Sequence, residues 1–175
     1  RYEPNRGHLY ATSIFLPSPN AAGQRTFGVF TEQSGAGFRL RSGSLCAVIR
    51  TTVGGVTSDS ETLITIPEGV DLEKGNTFDV QFQWRGVGDY FFFINQLEVL
   101  HLEILGTLTE LSMFNPAAPV AFESINQGDA VEIQCGCVDV SSEGGKDNGK
   151  TYGSVFMNNQ TGSVSVSGYN VPIIA

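Results

Sequence analysis

A chain of 175 residues, 41% hydrophobic and 16% charged, has the size of one globular domain, long enough to bury about 68–70% of the surface its unfolded form exposes. Its net charge of −8 is uneven: residues 1–86 carry eight basic and eight acidic side chains, whereas residues 87–175 carry Lys146 and Lys150 against ten carboxylates. That balance excludes the clustered cations of a nucleic-acid groove, and no run of about 18 apolar residues is present to cross a membrane, so neither partner is expected.

Low charge, 21 glycines and many Thr, Val and Phe residues point to an all-β domain rich in turns. No signal-peptide pattern opens the sequence, and its start on Arg1 rather than methionine reads as a processed or excised chain.

In chain order, residues 1–7 are polar and contain Pro4, and are expected to form an N-terminal arm or linker. His8 to Leu16 mixes aromatic and β-branched residues and ends at Pro17-Ser18-Pro19-Asn20, a strong breaker. Strands are expected at Thr26–Glu32, Phe38–Arg41 and Leu45–Thr52, joined by turns at Ser34–Gly37 and Ser42–Ser44 into a meander. Val53–Ser60 reads as a loop or edge excursion, Glu61–Pro67 as a further strand, and Glu68–Gly75 as one helical or 3₁₀ turn.

The strongest signal follows. Phe78, Val80, Phe82 and Trp84 alternate with Asp79, Gln81, Gln83 and Arg85, the period of a strand with one buried face. Gly86 and Gly88 supply a reversal, and Tyr90–Ile94 returns as a second aromatic strand, so a hairpin at the centre of a sheet is expected. Leu97–Ile104 continues after an Asn95-Gln96 turn, and Thr107–Met113 suits a helical turn as well as a strand. Val120–Ile125 and Ala130–Val140, the latter expected to be the longest strand, flank a hairpin signal at Asn126–Asp129. Ser141–Lys150 is a polar loop, and Tyr152–Met157 and Ser163–Val171 are further strand candidates.

No catalytic constellation emerges. His8 and His101 stand far apart with no nucleophile elbow, and His101 is expected on the face of Val99 and Glu103 as a packed or rim residue. Cys135 and Cys137, two apart on a strand, should point in parallel and so not bridge each other, and with Cys46 they read as structural thiols. The carboxylate pairs Glu98/Glu103 and Glu132/Asp139 have odd separations, which puts each pair on opposite faces and fails the geometry of a glycosidase. No cofactor or metal is expected.

Several blocks, in order, carry a resemblance. They are Arg1-Tyr2-Glu3-Pro4-Asn5-Arg6-Gly7, Gln24 to Phe30, Gly37-Phe38, Gln83-Trp84-Arg85-Gly86-Val87-Gly88, Met113-Phe114-Asn115-Pro116 through Pro119-Val120, Asn126-Gln127-Gly128, and Ser142-Glu143-Gly144-Gly145. The set resembles virion structural proteins of tailed bacteriophages across nearly the whole chain, departing at Leu45-Cys46, where an aromatic residue is common in that family. The resemblance implies a single antiparallel β-sandwich, jelly-roll or concanavalin-like, of about ten strands over residues 8–175. It also implies a non-enzymatic role on the phage particle surface, as capsid decoration, head fibre or tail component, with copies of itself and other virion proteins as partners. Arg1, Tyr2 and Arg6 are the candidate assembly contacts. The alternative is a carbohydrate-binding, lectin-like module that takes a host-surface glycan, with Tyr152, Asn158, Asn159 and Tyr169 supplying the aromatic and amide groups a sugar site needs.

Overall fold

The computed structural model describes residues 7–83, 88–103, 118–142 and 155–156. Two antiparallel sheets account for every strand among them. The five-stranded sheet takes β2 (Gly23–Phe30), β3 (Gly35–Arg41), β4 (Ser44–Val53), β5 (Val56–Leu63) and β9 (Val120–Asn126), in the order β5-β4-β3-β2-β9. The six-stranded sheet takes β1 (Gly7–Phe15), β6 (Asn76–Gln83), β7 (Tyr90–Ile94), β8 (Leu97–Leu102), β10 (Gln134–Ser142) and the two-residue β11 (Val155–Phe156), in the order β11-β10-β1-β6-β7-β8. The fold is an all-β sandwich.

Alternation builds the interface between the sheets. Along β6, Asn76, Phe78, Val80 and Phe82 are buried while Thr77, Gln81 and Gln83 are exposed, and β7 repeats the pattern with Tyr90, Phe92 and Ile94 inward. From the other sheet, Phe27 and Phe38 enter the same space. Phe38 meets Phe78 edge-on at 5.1 Å and Phe92 at 5.4 Å, and Phe27 meets Phe78 at 5.1 Å. These are the preferred aromatic geometries. The expected hairpin is present and internal to its sheet, with Phe78 opposite Ile94 and Val80 opposite Phe92; Trp84 lies outside the described residues. His8, at the start of β1, stacks on Phe82 at 5.6 Å, and burial drops its pKa to about 4.

Three two-residue turns, Ser42-Gly43, Gly54-Gly55 and Asn95-Gln96, have positive φ at both positions. That is the signature of the type I′ turn, whose twist matches paired strands.

Elsewhere the structure departs from the sequence reading. Gly35, Ala36 and Gly37 are not a turn but the buried start of β3. The reversal comes earlier, where the Thr31 N–H donates to the Ser34 carbonyl at 2.7 Å and the Thr31 hydroxyl accepts from the Ser34 N–H. Those glycines serve close approach: a Cβ on Gly37 would collide with the Phe27 carbonyl and the Phe30 ring, and one on Gly35 with the Phe30 ring. Val56–Leu63 forms one edge strand, so the expected break between Ser60 and Glu61 does not exist. Residues 67–74 make two tight turns, in which the Val70 N–H donates to the Pro67 carbonyl and the Lys74 N–H to the Asp71 carbonyl, the i+3 to i spacing of a 3₁₀ turn rather than of an α-helical one.

The Asn126–Asp129 segment joins no hairpin. β9 pairs with β2 and β10 with β1, so this stretch crosses between the sheets, held by Asp129, which accepts from the Ala22 N–H at 2.7 Å. β10 begins only at Gln134, and among the described residues the longest strand is β4.

The cysteine pair is corrected by a β-bulge. Thr12 opposes Val138 but Ile14 opposes Cys135, so β10 holds one residue more than β1 across this interval. Cys135 therefore packs against the core, 3.5 Å from the hydroxyl of buried Thr12, whereas the Cys137 sulfur lies 3.4 Å from the hydroxyl of Ser13 on the other face. A second register shift, between Phe92 and Phe93, separates Val99, packed on the core, from His101, which stacks on Phe91.

If the aromatic contact carries the sandwich, Phe38→Ala should lower the unfolding free energy by about 3–5 kcal/mol. Denaturant unfolding checks this, and a loss under about 1 kcal/mol would mean the sheets are held together elsewhere.

Candidate functional site

The face of the five-stranded sheet turned away from the core carries an ordered network. Phe30 lies over Gly35 and Gly37 and is 6% exposed although it points outward. The Arg50 guanidinium sits over its ring at 5.2 Å, a cation–π distance. From there the charges run across strands. Arg50 forks onto Asp59 at 2.7 and 3.0 Å, and Arg39 reaches past β4 to Asp59 at 2.7 Å and to Glu61. Arg39 Nε donates to the Thr26 hydroxyl, and Arg41 donates to Gln24 at 2.7 Å and to Glu61 at 3.3 Å. A hydrogen-bonded chain thus spans β2 to β5.

Register makes this possible. Arg50 opposes Asp59 and Val48 opposes Glu61 across the β4–β5 pair, while Arg39 lies one strand further in. Arg50's hydrogen bond pulls the Asp59 carboxyl below its ordinary value, and the Arg39 bond adds to it against the effect of burial. Burial alone would lower the Arg39 pKa, but the bonds to Asp59 and Glu61 outweigh it and hold the guanidinium charged. The sequence already shows Arg39-Leu40-Arg41 in clean alternation. What hid the cluster was the reading of Asp59 as loop, which concealed that Asp59 and Glu61 share a face.

The outward face of the six-stranded sheet carries a smaller group. His101 stacks on Phe91 at 4.4 Å, and its Nε2 lies 2.8 Å from Asp89. Gln81 is opposite Phe91 on the neighbouring strand. On the next rung Asp79 and Asp139 flank Ala11 from either side. Burial raises the Asp79 carboxyl, and the Asp139 Oδ1 is buried without a hydrogen-bond partner among the described residues. Glu132 lies outside any strand, so strand parity does not apply to its pairing with Asp139. The three cysteines are free and half-buried, and burial pushes the Cys46 and Cys135 thiols up, away from the reactive thiolate. Among the described residues no group of three or more His, Cys, Asp or Glu side chains is placed to hold a metal ion.

The expected site residues Arg1, Tyr2, Arg6, Tyr152, Asn158, Asn159 and Tyr169 all lie outside the described residues. Chemically, then, the described surface offers one charge-paired sheet face, one aromatic–imidazole stack and strand edges without a neighbour among the described residues.

No protein-family model matches the sequence, and no curated protein sequence matches it. Solved structures do. The chain is similar to the binding domain of botulinum neurotoxin serotype G, with a TM-score of 0.50 at 14% identity over 79% of this chain and 32% of that one. It is similar also to the receptor-binding domain of botulinum neurotoxin D, with a TM-score of 0.50 at 10% identity over 80% of this chain and 34% of that one. The chain spans about a third of the length of those domains, and what it shares with them is the β-sandwich fold.

The network makes an acid-sensitive claim. Arg39→Leu should cost about 1–3 kcal/mol at pH 7, because two part-buried carboxylates lose a shared partner. Asp59's folded-state pKa is depressed below 3.8, so the stability it contributes is present above that value and lost as pH falls through the folded one. The gap between Arg39→Leu and the parent should therefore narrow below pH 3.8. Urea unfolding at pH 7 and pH 3 measures it, and an undiminished gap at pH 3 would show that Arg39 acts by packing alone.

Proposed function

We propose that the chain is a non-enzymatic structural subunit of a bacteriophage particle, working through contacts of its sheet surfaces and edges with copies of itself and with other particle proteins. The observation that carries this reading is the charge-paired face of the five-stranded sheet. There three arginines and two carboxylates satisfy one another in a rigid plane, which suits a contact surface better than a reacting centre. The ordered sequence resemblance to tailed-phage virion proteins supports the particle as its setting, and Arg1, Tyr2 and Arg6, just ahead of β1, are the assigned docking contacts.

Removing residues 1–6 should leave the sandwich folded, since β1 starts at Gly7, and should abolish incorporation of the chain into particles. Normal copy number in particles assembled with the truncated chain would place the docking contacts elsewhere.

A second reading, a glycan-binding module, is favoured by one feature: the Phe91–His101 stack with Asp89 and Gln81 beside it joins an aromatic surface to carboxylate and amide partners. The similarity in fold to the receptor-binding domain of botulinum neurotoxin D is in keeping with it. A glycan array decides between the two. The structural reading expects no saturable signal, and saturable binding to one sugar class, lost in His101→Ala, would replace it with the lectin reading.

A further inference from the structure

Five large apolar side chains stand exposed among the described residues, and three of them, Val53, Val56 and Leu63, belong to the β4–β5 hairpin. Among the described residues β5 ends its sheet, with β4 as its neighbour. Just past β5, the Ile64 N–H donates to the Leu45 carbonyl at 2.8 Å. Even-numbered residues of this strand therefore turn their backbone groups toward β4, and by alternation Thr57, Asp59, Glu61 and Leu63 turn theirs outward.

Such an edge is a template for another strand, and proteins usually blunt it by shortness, charged side chains, proline or a bulge. In the six-stranded sheet β8 does so with a register shift. β5 has neither shortness nor a bulge, and its two charged residues, Asp59 and Glu61, are already paired with arginine. It runs for eight residues, contains neither lysine nor proline, and pairs with β4 without a shift from Cys46 opposite Leu63 to Val53 opposite Val56.

We infer that β5 is the seam of a two-fold dimer, pairing antiparallel with β5 of a second copy, with Ser60 beside the axis, to join two five-stranded sheets into one of ten strands. The inference deepens the contact-making reading above and names the contact. Symmetry restricts the register. A two-fold axis normal to the sheet keeps each residue on its own face, so only residues of the same face can oppose each other.

The register through Asp59 would set that carboxylate against itself. The register through Ser60 opposes Asp59 with Glu61 of the second copy, Thr57 with its Leu63, and Ser58 with its Thr62, and it covers the exposed leucine. Opposed carboxylates ordinarily disfavour pairing. Here each is already held by arginine, three guanidiniums to two carboxylates in each copy, so the seam carries compensated charge. A second copy brings that compensation with it, which is why it is the occupant that fits.

The test uses the full chain. Sedimentation velocity over a concentration series should show a dimer fraction that rises with concentration. Ser60 is exposed, so Ser60→Lys should leave circular dichroism and thermal unfolding unchanged yet give monomer at every concentration, because it opposes two ammonium groups about 4.5–5.5 Å apart at Cβ.

Ser60 opposite its own copy is a non-hydrogen-bonded pair, with a Cα separation of about 4.5 Å that a disulfide accepts. Ser60→Cys under mild oxidation should thus give a covalent dimer that reductant reverses, while Ser58→Cys should not exceed the background set by Cys46, Cys135 and Cys137. A parent chain that stays monomeric at all concentrations would overturn the inference. So would a dimer that survives Ser60→Lys, or equal cross-linking at positions 58 and 60. Particle incorporation separates the two claims: a Ser60→Lys chain that incorporates normally overturns the seam's role alone, and a dimer that never enters particles overturns the structural reading while leaving the seam.

Discussion

The sandwich depends on one contact between its sheets: Phe38 of the five-stranded sheet set edge-on against Phe78 and Phe92 of the six-stranded sheet. Each ring comes from a strand whose inward positions are apolar, so the contact fixes which face of β3, β6 and β7 is buried. Shifting any of these strands by one residue would bring Arg39, Asp79 or Phe93 into that space. Once the registers are set, β1 and β10 follow on one side, and β2, β4 and β5 on the other.

That choice of inward face determines the chemistry left outside. With Phe38 and Leu40 turned in, Arg39 and Arg41 are turned out; with Leu45 and Ala47 turned in, Arg50 joins them. The β4–β5 register then brings Asp59 and Glu61 onto the same face. Phe30, also outward, is shielded because Gly35 and Gly37 let its ring lie on the backbone and Arg50 covers it. The result is a surface whose charges are matched internally and whose shape is held by packed strands. Such a surface loses little side-chain entropy when a partner lies against it.

What could be read from the sequence was what depends on near neighbours. The alternation of Phe78, Val80 and Phe82 gave the central strand, and Ser42-Gly43 and Asn95-Gln96 marked two of the reversals. What could not be read depends on residues far apart in the chain. Gly35 and Gly37 resemble a turn until the Phe30 ring is seen to need their missing side chains. Asn126 to Asp129 resembles a hairpin, but the partner of Asp129 is Ala22, and β9 and β10 are claimed by different sheets. A single extra residue opposite Thr12 and Ile14 turned Cys135 and Cys137 to opposite faces, and nothing local to β10 announces that bulge. The arginine–carboxylate network was hidden for the same reason, its members coming from β3, β4 and β5.

The most direct test of the account is a side-chain-resolution reconstruction of the phage particles proposed to carry the chain. The account predicts the two-sheet sandwich in many symmetry-related copies, touching its neighbours through sheet faces and strand edges, with residues 1–6 against another particle protein. Purified particles that contain no copy of the chain would contradict it.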